Sequence, residues 1–134
     1  MKIRDMIGQG KPTLSFEVFP PKTEANYESV EKAALEIGKL HPSFMSVTYG
    51  ASKYTVSIAD KIQRECGVPT LAHLTCVSST REHVHKVVEE LKEYNIENIM
   101  ALRGDIPKDG NIQNDYRYAS ELIREIRESG DFCI

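Results

Sequence analysis

The sequence predicts an α/β fold of repeated strand–loop–helix units whose strands run parallel. Three observations predict it. Short apolar runs begin near positions 14, 44, 70, 98 and 132, a spacing close to 30 residues. Between them, apolar residues recur at i, i+3, i+4 and i+7, the stripe of an amphipathic helix. The first four runs each contain or precede a residue capable of chemistry: Glu17, Thr48-Tyr49-Gly50, His73 and Arg103-Gly104-Asp105. Parallel βα units put the C-terminal ends of all their strands on one face, which is where ligands bind. An acid, a hydroxyl, an imidazole and an Arg/Asp pair are therefore expected at one mouth.

The first run, residues 14–18, alternates. Leu14, Phe16 and Val18 share one face, and Ser15, Glu17 and Phe19 share the other. The apolar set is expected to meet helices, which turns Glu17 inward. Val30, Ala33, Ala34 and Ile37 then mark a helix. In the second run Met45 and Val47 point outward and Ser46 and Thr48 inward, and Thr55, Ile58, Ala59 and Ile62 stripe the helix that follows. In the third, His73 shares its face with Leu71 and Thr75. Ser79 with Glu82 three residues on predicts a capping box and a helix start near Thr80, and Val84, Val87, Val88 and Leu91 carry that helix. The fourth run, 99–102, leads through a polar stretch at 109–116, expected as a loop over the mouth, to the stripe Ala119, Leu122, Ile123, Ile126. Gly38, Gly67 and Gly130 stand where left-handed helix caps are wanted.

Regular βα units either close as a (β/α)8 barrel or stay open and doubly wound. No glycine-rich dinucleotide fingerprint follows any strand, which weakens the open alternative. A complete barrel takes about 250 residues. The 134 residues supply four units and the opening of a fifth strand at Phe132-Cys133-Ile134. The expectation is one domain over 1–134, the N-terminal half of a (β/α)8 TIM barrel.

Composition narrows the function. Seventeen basic residues against 20 acidic give a net charge of −3, with no basic stripe, so nucleic acid is a poor partner. Cys66, Cys76 and Cys133 are odd in number and lack metal-ligand spacing, so they read as reduced thiols and no metal is assigned. The polar segment 1–10 does not predict a signal peptide, and no run approaches the roughly 20 apolar residues of a membrane span. A cytoplasmic chain with no membrane partner is expected.

Glu17 lies in an apolar run, where lost hydration favours the protonated form and suits a general acid; the alternative is a buried pair with a Lys or Arg. In Arg103-Gly104-Asp105, Gly104 allows close backbone approach, Arg103 can grip a carbonyl or phosphate, and Asp105 can accept from ring N–H groups; an ordinary turn with a salt bridge is the alternative. His73 could be a base, a ligand contact or a satisfied core histidine, whereas His41, His83 and His85 are expected to be solvated.

Four segments together, Ser15-Phe16-Glu17-Val18-Phe19-Pro20-Pro21-Lys22-Thr23, Ser46-Val47-Thr48-Tyr49-Gly50-Ala51, Ala72-His73-Leu74-Thr75-Cys76 and Ala101-Leu102-Arg103-Gly104-Asp105, resemble methylenetetrahydrofolate reductase in order and spacing. The resemblance implies a cytoplasmic flavoprotein oxidoreductase of one-carbon metabolism and methionine biosynthesis. Its (β/α)8 barrel holds FAD across the strand ends. It implies NADH or NADPH as electron donor and reduction of 5,10-methylenetetrahydrofolate to 5-methyltetrahydrofolate. Glu17 matches the family's general acid, and Asp105 the acid that meets both the pterin and the flavin region. Thr48, Tyr49, Ala51, His73, Leu102, Arg103 and Gly104 match flavin-contacting positions, as do Tyr118 and Ala119. A homo-oligomer when complete, or a missing C-terminal half as partner, is expected, and a half-barrel with unpaired strand edges is expected to be inactive alone. Two departures are visible: the family usually has a longer Gly/Ser-rich loop after Ala51, whereas Ser52-Lys53-Tyr54-Thr55 leads directly into a helix here, and family flavin and substrate positions beyond the fifth strand have no counterpart in these residues. Two other readings remain at this point. One is a non-catalytic half-barrel that binds flavin or a partner. The other is a different TIM-barrel enzyme that uses Glu17 as an acid without flavin.

Overall fold

A computed structural model describes residues 1–49 and 54–134. Strands β1 (Ser15–Val18), β2 (Phe44–Val47), β3 (Thr70–Thr75) and β4 (Asn98–Leu102) alternate with helices α1 (Tyr27–Gly38), α2 (Thr55–Cys66), α3 (Arg81–Glu93) and α4 (Ala119–Ser129). All strand pairs are parallel, and the order across the sheet is β1-β2-β3-β4. A doubly wound sheet reverses its strand order at a switch point. An unbroken sequential order is the order of a barrel wall.

Side-chain alternation sorts the two faces as the sequence predicts. Val18, Met45, Val47, Ala72, Leu74 and Ile99 are buried on the outer face and pack with Ile58, Ile62, Val84, Val88, Leu91, Leu122 and Ile126 of the helices. Apart from the small Ala72, each such side chain contributes about 1.5–3 kcal/mol by leaving water, so this face holds the fold together. Register then fixes the inner face: Glu17 lies opposite Ser46, His73 opposite Met100, and Thr75 opposite Leu102. Met100 and Leu102 are exposed there. Apolar side chains facing outward from a sheet's open side are surface available to another group.

The α3 start near Thr80 and the left-handed cap at Gly67 hold, and other local expectations are corrected. The α3 cap is Thr80, whose side chain accepts from the His83 N–H at 3.1 Å, while the Ser79 hydroxyl donates to the Thr75 carbonyl at 2.8 Å. Gly67 caps α2 in the left-handed region at φ 66°. Gly38 instead ends α1 within the helix, packed on Cys66, and Gly130 is extended. The run near 132 forms a single parallel bridge between Cys133 and Asn98 in place of a strand. The polar N-terminal segment has a fixed place: Ile3 is buried in a 3-10 turn, its N–H donates to Asn98 Oδ1 at 2.7 Å, and Asn98 Nδ2 donates to the carbonyls of Met1 and Thr70. Asn98 opens β4, so this knot closes the end of the sheet away from the chemical residues.

Candidate active site

Glu17, Ser46 and His73 converge on the inner face. The Ser46 hydroxyl donates to Glu17 Oε2 at 3.1 Å, and His73 Nε2 stands 3.6 Å from the same oxygen. The expected burial of Glu17 is not found, since its side chain keeps 46% of its surface exposed. Its sequence neighbours Phe16 and Val18 belong to the helix-facing side and cannot cover it. His73 is the buried member, at 8%. Burial pushes the His73 imidazole below its ordinary value, and the neighbouring Glu17 pushes the other way. Among the described residues its Nε2 has no hydrogen-bond partner.

Beyond β2, the Thr48 N–H donates to the Val18 carbonyl at 3.0 Å, and the Thr48 carbonyl accepts from Thr55 Oγ1 at 2.9 Å. The end of β2 is thus tied to the start of α2; Ala51, also a sequence candidate, lies outside the described residues. The Tyr49 hydroxyl sits 2.5 Å from His83 Nε2, and burial pushes that hydroxyl up. His83 is exposed as expected, but it is engaged with Tyr49.

The end of β4 is shaped by Gly104. Its φ of 84° lies in the left-handed region. The Val77 N–H donates to the Arg103 carbonyl at 2.8 Å, drawing this turn onto the end of β3. Gly104 is therefore needed for contact between two strand ends. Leu102 stands on the inner face, and Arg103 and Asp105 are exposed beside it, with Arg103 Nε donating to the Gly104 carbonyl at 3.1 Å. A groove of about 1100 Å³ runs from Asp105 and Gly104 past Thr75 and Tyr49 to His83 and Lys86. Glu17 and His73 lie on the open sheet face outside that groove.

The polar stretch after β4 is more firmly held than a surface loop. The Gln113 N–H donates to the Val77 carbonyl at 3.0 Å, and Tyr116 is buried. The Tyr116 hydroxyl donates to Glu125, which also accepts from Arg81 Nη1 at 3.0 Å and lies 2.5 Å from His85 Nε2. The Arg81 guanidinium lies over the Tyr116 ring, 5.2 Å from its centroid. His85, expected to be solvated, is part of this cluster. The cluster fixes the approach to α4, where Glu121 Oε2 accepts from the N–H groups of Arg117 and Tyr118. Tyr118 and Ala119 thereby begin a helix on the strand-end side, with the Tyr118 ring exposed. Sequence reasoning missed Ser46 as a site residue, and it missed the Arg81–Tyr116–Glu125 cluster.

A flat, polar-edged ring system needs apolar surface for its faces and polar groups for its edges. Exposed Met100 and Leu102 offer the first, and exposed Arg103 and Asp105 with Thr48 offer the second, so the residues fit a flavin. Among the described residues no group of His, Cys, Asp or Glu could hold a metal ion, and no helix is long and apolar enough to cross a membrane.

Sheet order, register and strand-end residues define an α/β chain carrying the first βα units of a TIM barrel. The family model for methylenetetrahydrofolate reductase matches residues 2–134, and the chain belongs to that family. It is 37% identical over 130 residues to 5,10-methylenetetrahydrofolate reductase of Pectobacterium carotovorum subsp. carotovorum, covering 94% of this chain and 43% of that protein. To methylenetetrahydrofolate reductase 2 of Schizosaccharomyces pombe it is 36% identical over 149 residues, covering 100% of this chain and 23% of that one. To methylenetetrahydrofolate reductase (NADH) 1 of Zea mays it is 34% identical over 140 residues, covering 98% and 24%. The chain thus spans less than half the length of these relatives.

Proposed function

We propose that this chain forms the acid-bearing part of a flavin-dependent reductase. It converts 5,10-methylenetetrahydrofolate to 5-methyltetrahydrofolate with NADH or NADPH as donor. The observation that carries the reading is the Glu17 carboxyl, half-exposed on the inner face and, among the described residues, held by Ser46 at one oxygen. An acid so placed is fixed in direction and still open to a substrate. The maize relative's name specifies NADH, which favours that donor.

FAD would be held by Thr48, Tyr49, Ala51, His73, Leu102, Arg103, Gly104, Asp105, Tyr118 and Ala119, and when bound it supplies hydride transfer. The chain's own residues do the rest. Leu102 and Met100 cover ring faces and exclude water. Arg103 provides a fixed cationic donor, and Asp105 accepts from pterin N–H groups. Glu17 delivers its proton to the folate nitrogen released as the five-membered ring opens to the iminium, and it is left as a carboxylate facing the Ser46 hydroxyl.

The test uses protein expressed from its full reading frame and follows the two half-reactions separately. Glu17→Gln should leave nicotinamide oxidation nearly intact and slow folate reduction by a factor on the order of 10² or more. Equal loss in both would make Glu17 a structural residue.

A further inference from the structure

The Glu17 carboxyl is asymmetric. Among the described residues its hydrogen bond, from the Ser46 hydroxyl at 3.1 Å, goes to Oε2, and His73 Nε2 stands 3.6 Å from that same oxygen. His73 Nε2 is buried and otherwise partnerless. A buried ring nitrogen left without a partner is costly, and the acceptor standing before it is Glu17 Oε2. The contact is just beyond hydrogen-bond length, so a small rotation of the flexible, half-exposed Glu17 side chain closes it. Three strands contribute one residue each to this arrangement, and register holds them: Glu17 is the direct partner of Ser46, and His73 lies on β3 two residues beyond Leu71, the partner of Ser46.

We infer that Ser46 and His73 are positioning residues that clamp Glu17 Oε2, so that Oε1 is the oxygen that presents the proton to substrate. The inference rests on the reaction proposed above and assigns within it two roles beyond cofactor contact. Before proton transfer, the clamp sets the direction of the carboxyl. During transfer the O–H bond at Oε1 breaks and a bond to the folate nitrogen forms. The charge left on the carboxylate is met at Oε2 by the Ser46 hydroxyl and by Nε2–H. Among the described residues the charged group facing the His73 ring is Glu17, from β1; β2 brings Ser46 and β4 brings Met100, neither of which titrates near neutrality.

The test reads His73 directly, by NMR titration of its ring in protein expressed from the full reading frame, and then reads the half-reactions. Glu17→Gln removes the facing carboxylate and should move the His73 midpoint down by about one pH unit. Ser46→Ala should slow folate reduction on the order of tenfold, the worth of a hydrogen bond to a charged group, and should leave nicotinamide oxidation unchanged. Ser46→Thr, which keeps the hydroxyl, should restore the folate step. A His73 midpoint that ignores Glu17→Gln overturns the clamp even in an active enzyme. Equal slowing of both half-reactions by Ser46→Ala also overturns it. Wild-type protein that reduces no folate overturns the proposed reaction and the clamp's role with it, and the His73 titration distinguishes that failure from a missing contact.

Discussion

Gly104 meets Thr75 so closely that a Cβ added to the glycine would stand 3.0 Å from Thr75 Cβ, with Val77 Cγ1 at 3.2 Å. This contact seats the turn after β4 on the end of β3. It therefore sets where Arg103 and Asp105 emerge.

Gly104→Ala should lower unfolding free energy by about 1–3 kcal/mol, because a side chain is strained at this left-handed backbone and must also displace Thr75. Urea denaturation of wild type and variant measures it. A change within error would mean that the turn shifts freely, and the Thr75 contact would then not anchor the site.

Arg103 and Asp105 emerge on the same side but should act differently. Arg103→Ala removes an exposed cationic donor and should reduce the flavin retained on purification. Asp105→Asn keeps the shape and a hydrogen-bonding edge, so flavin should stay while folate binding weakens. Visible absorbance of the purified variants and a folate titration separate the two. Full flavin occupancy in Arg103→Ala would remove Arg103 from the cofactor's contacts.

Glu125 carries a structural load. Its carboxylate accepts from the Tyr116 hydroxyl and from Arg81 and adjoins His85, and its side chain is 12% exposed. Glu125→Ala strands a buried tyrosine hydroxyl whose proton is held more tightly than usual by burial and by Glu125. The loss should be about 1–3 kcal/mol, with Tyr116→Phe recovering part of it in the double variant because the orphaned donor is gone. Additive losses in that double-mutant cycle would show that the two residues are not coupled.

How far the site was legible depends on the range of each signal. The inward direction of Glu17 follows from period-two alternation within five residues, and the structure agrees. Its exposure did not follow, because Phe16 and Val18 are its neighbours in sequence but face the other side of the sheet. The Ser46–Glu17 bond joins strands 29 residues apart through their register, and no local pattern encodes register. At the start of α3, Ser79 and Thr80 are both capable caps, and the backbone path from Thr75 selects Thr80. The stretch 109–116 reads as polar apart from Ile112 and Tyr116, and the burial of Tyr116 depends on Arg81 and Glu125 from two different helices. Family resemblance supplied the cofactor positions. The residues alone supplied their common face.

His73 gives the fold a predictable response to acid. Burial holds its folded imidazole below the ordinary value of 6.5, with the Glu17 charge only partly opposing. The unfolded chain therefore takes up this proton at a higher pH than the folded one. A group depressed in this way leaves full stability above its unfolded value. Stability then falls as pH drops through 6.5 toward the folded value, because the unfolded state binds more protons across that window. The slope from one such group cannot exceed about 1.4 kcal/mol per pH unit. Urea denaturation of wild type and His73→Gln between about pH 7.5 and 5.5, where histidines titrate, isolates the contribution. Wild type should lose stability relative to the variant as the solution is acidified. Glu17→Gln should steepen that loss, since the one opposing charge is removed. If wild type instead gains on the variant at low pH, attraction to Glu17 outweighs burial, and the imidazole is charged in the folded state.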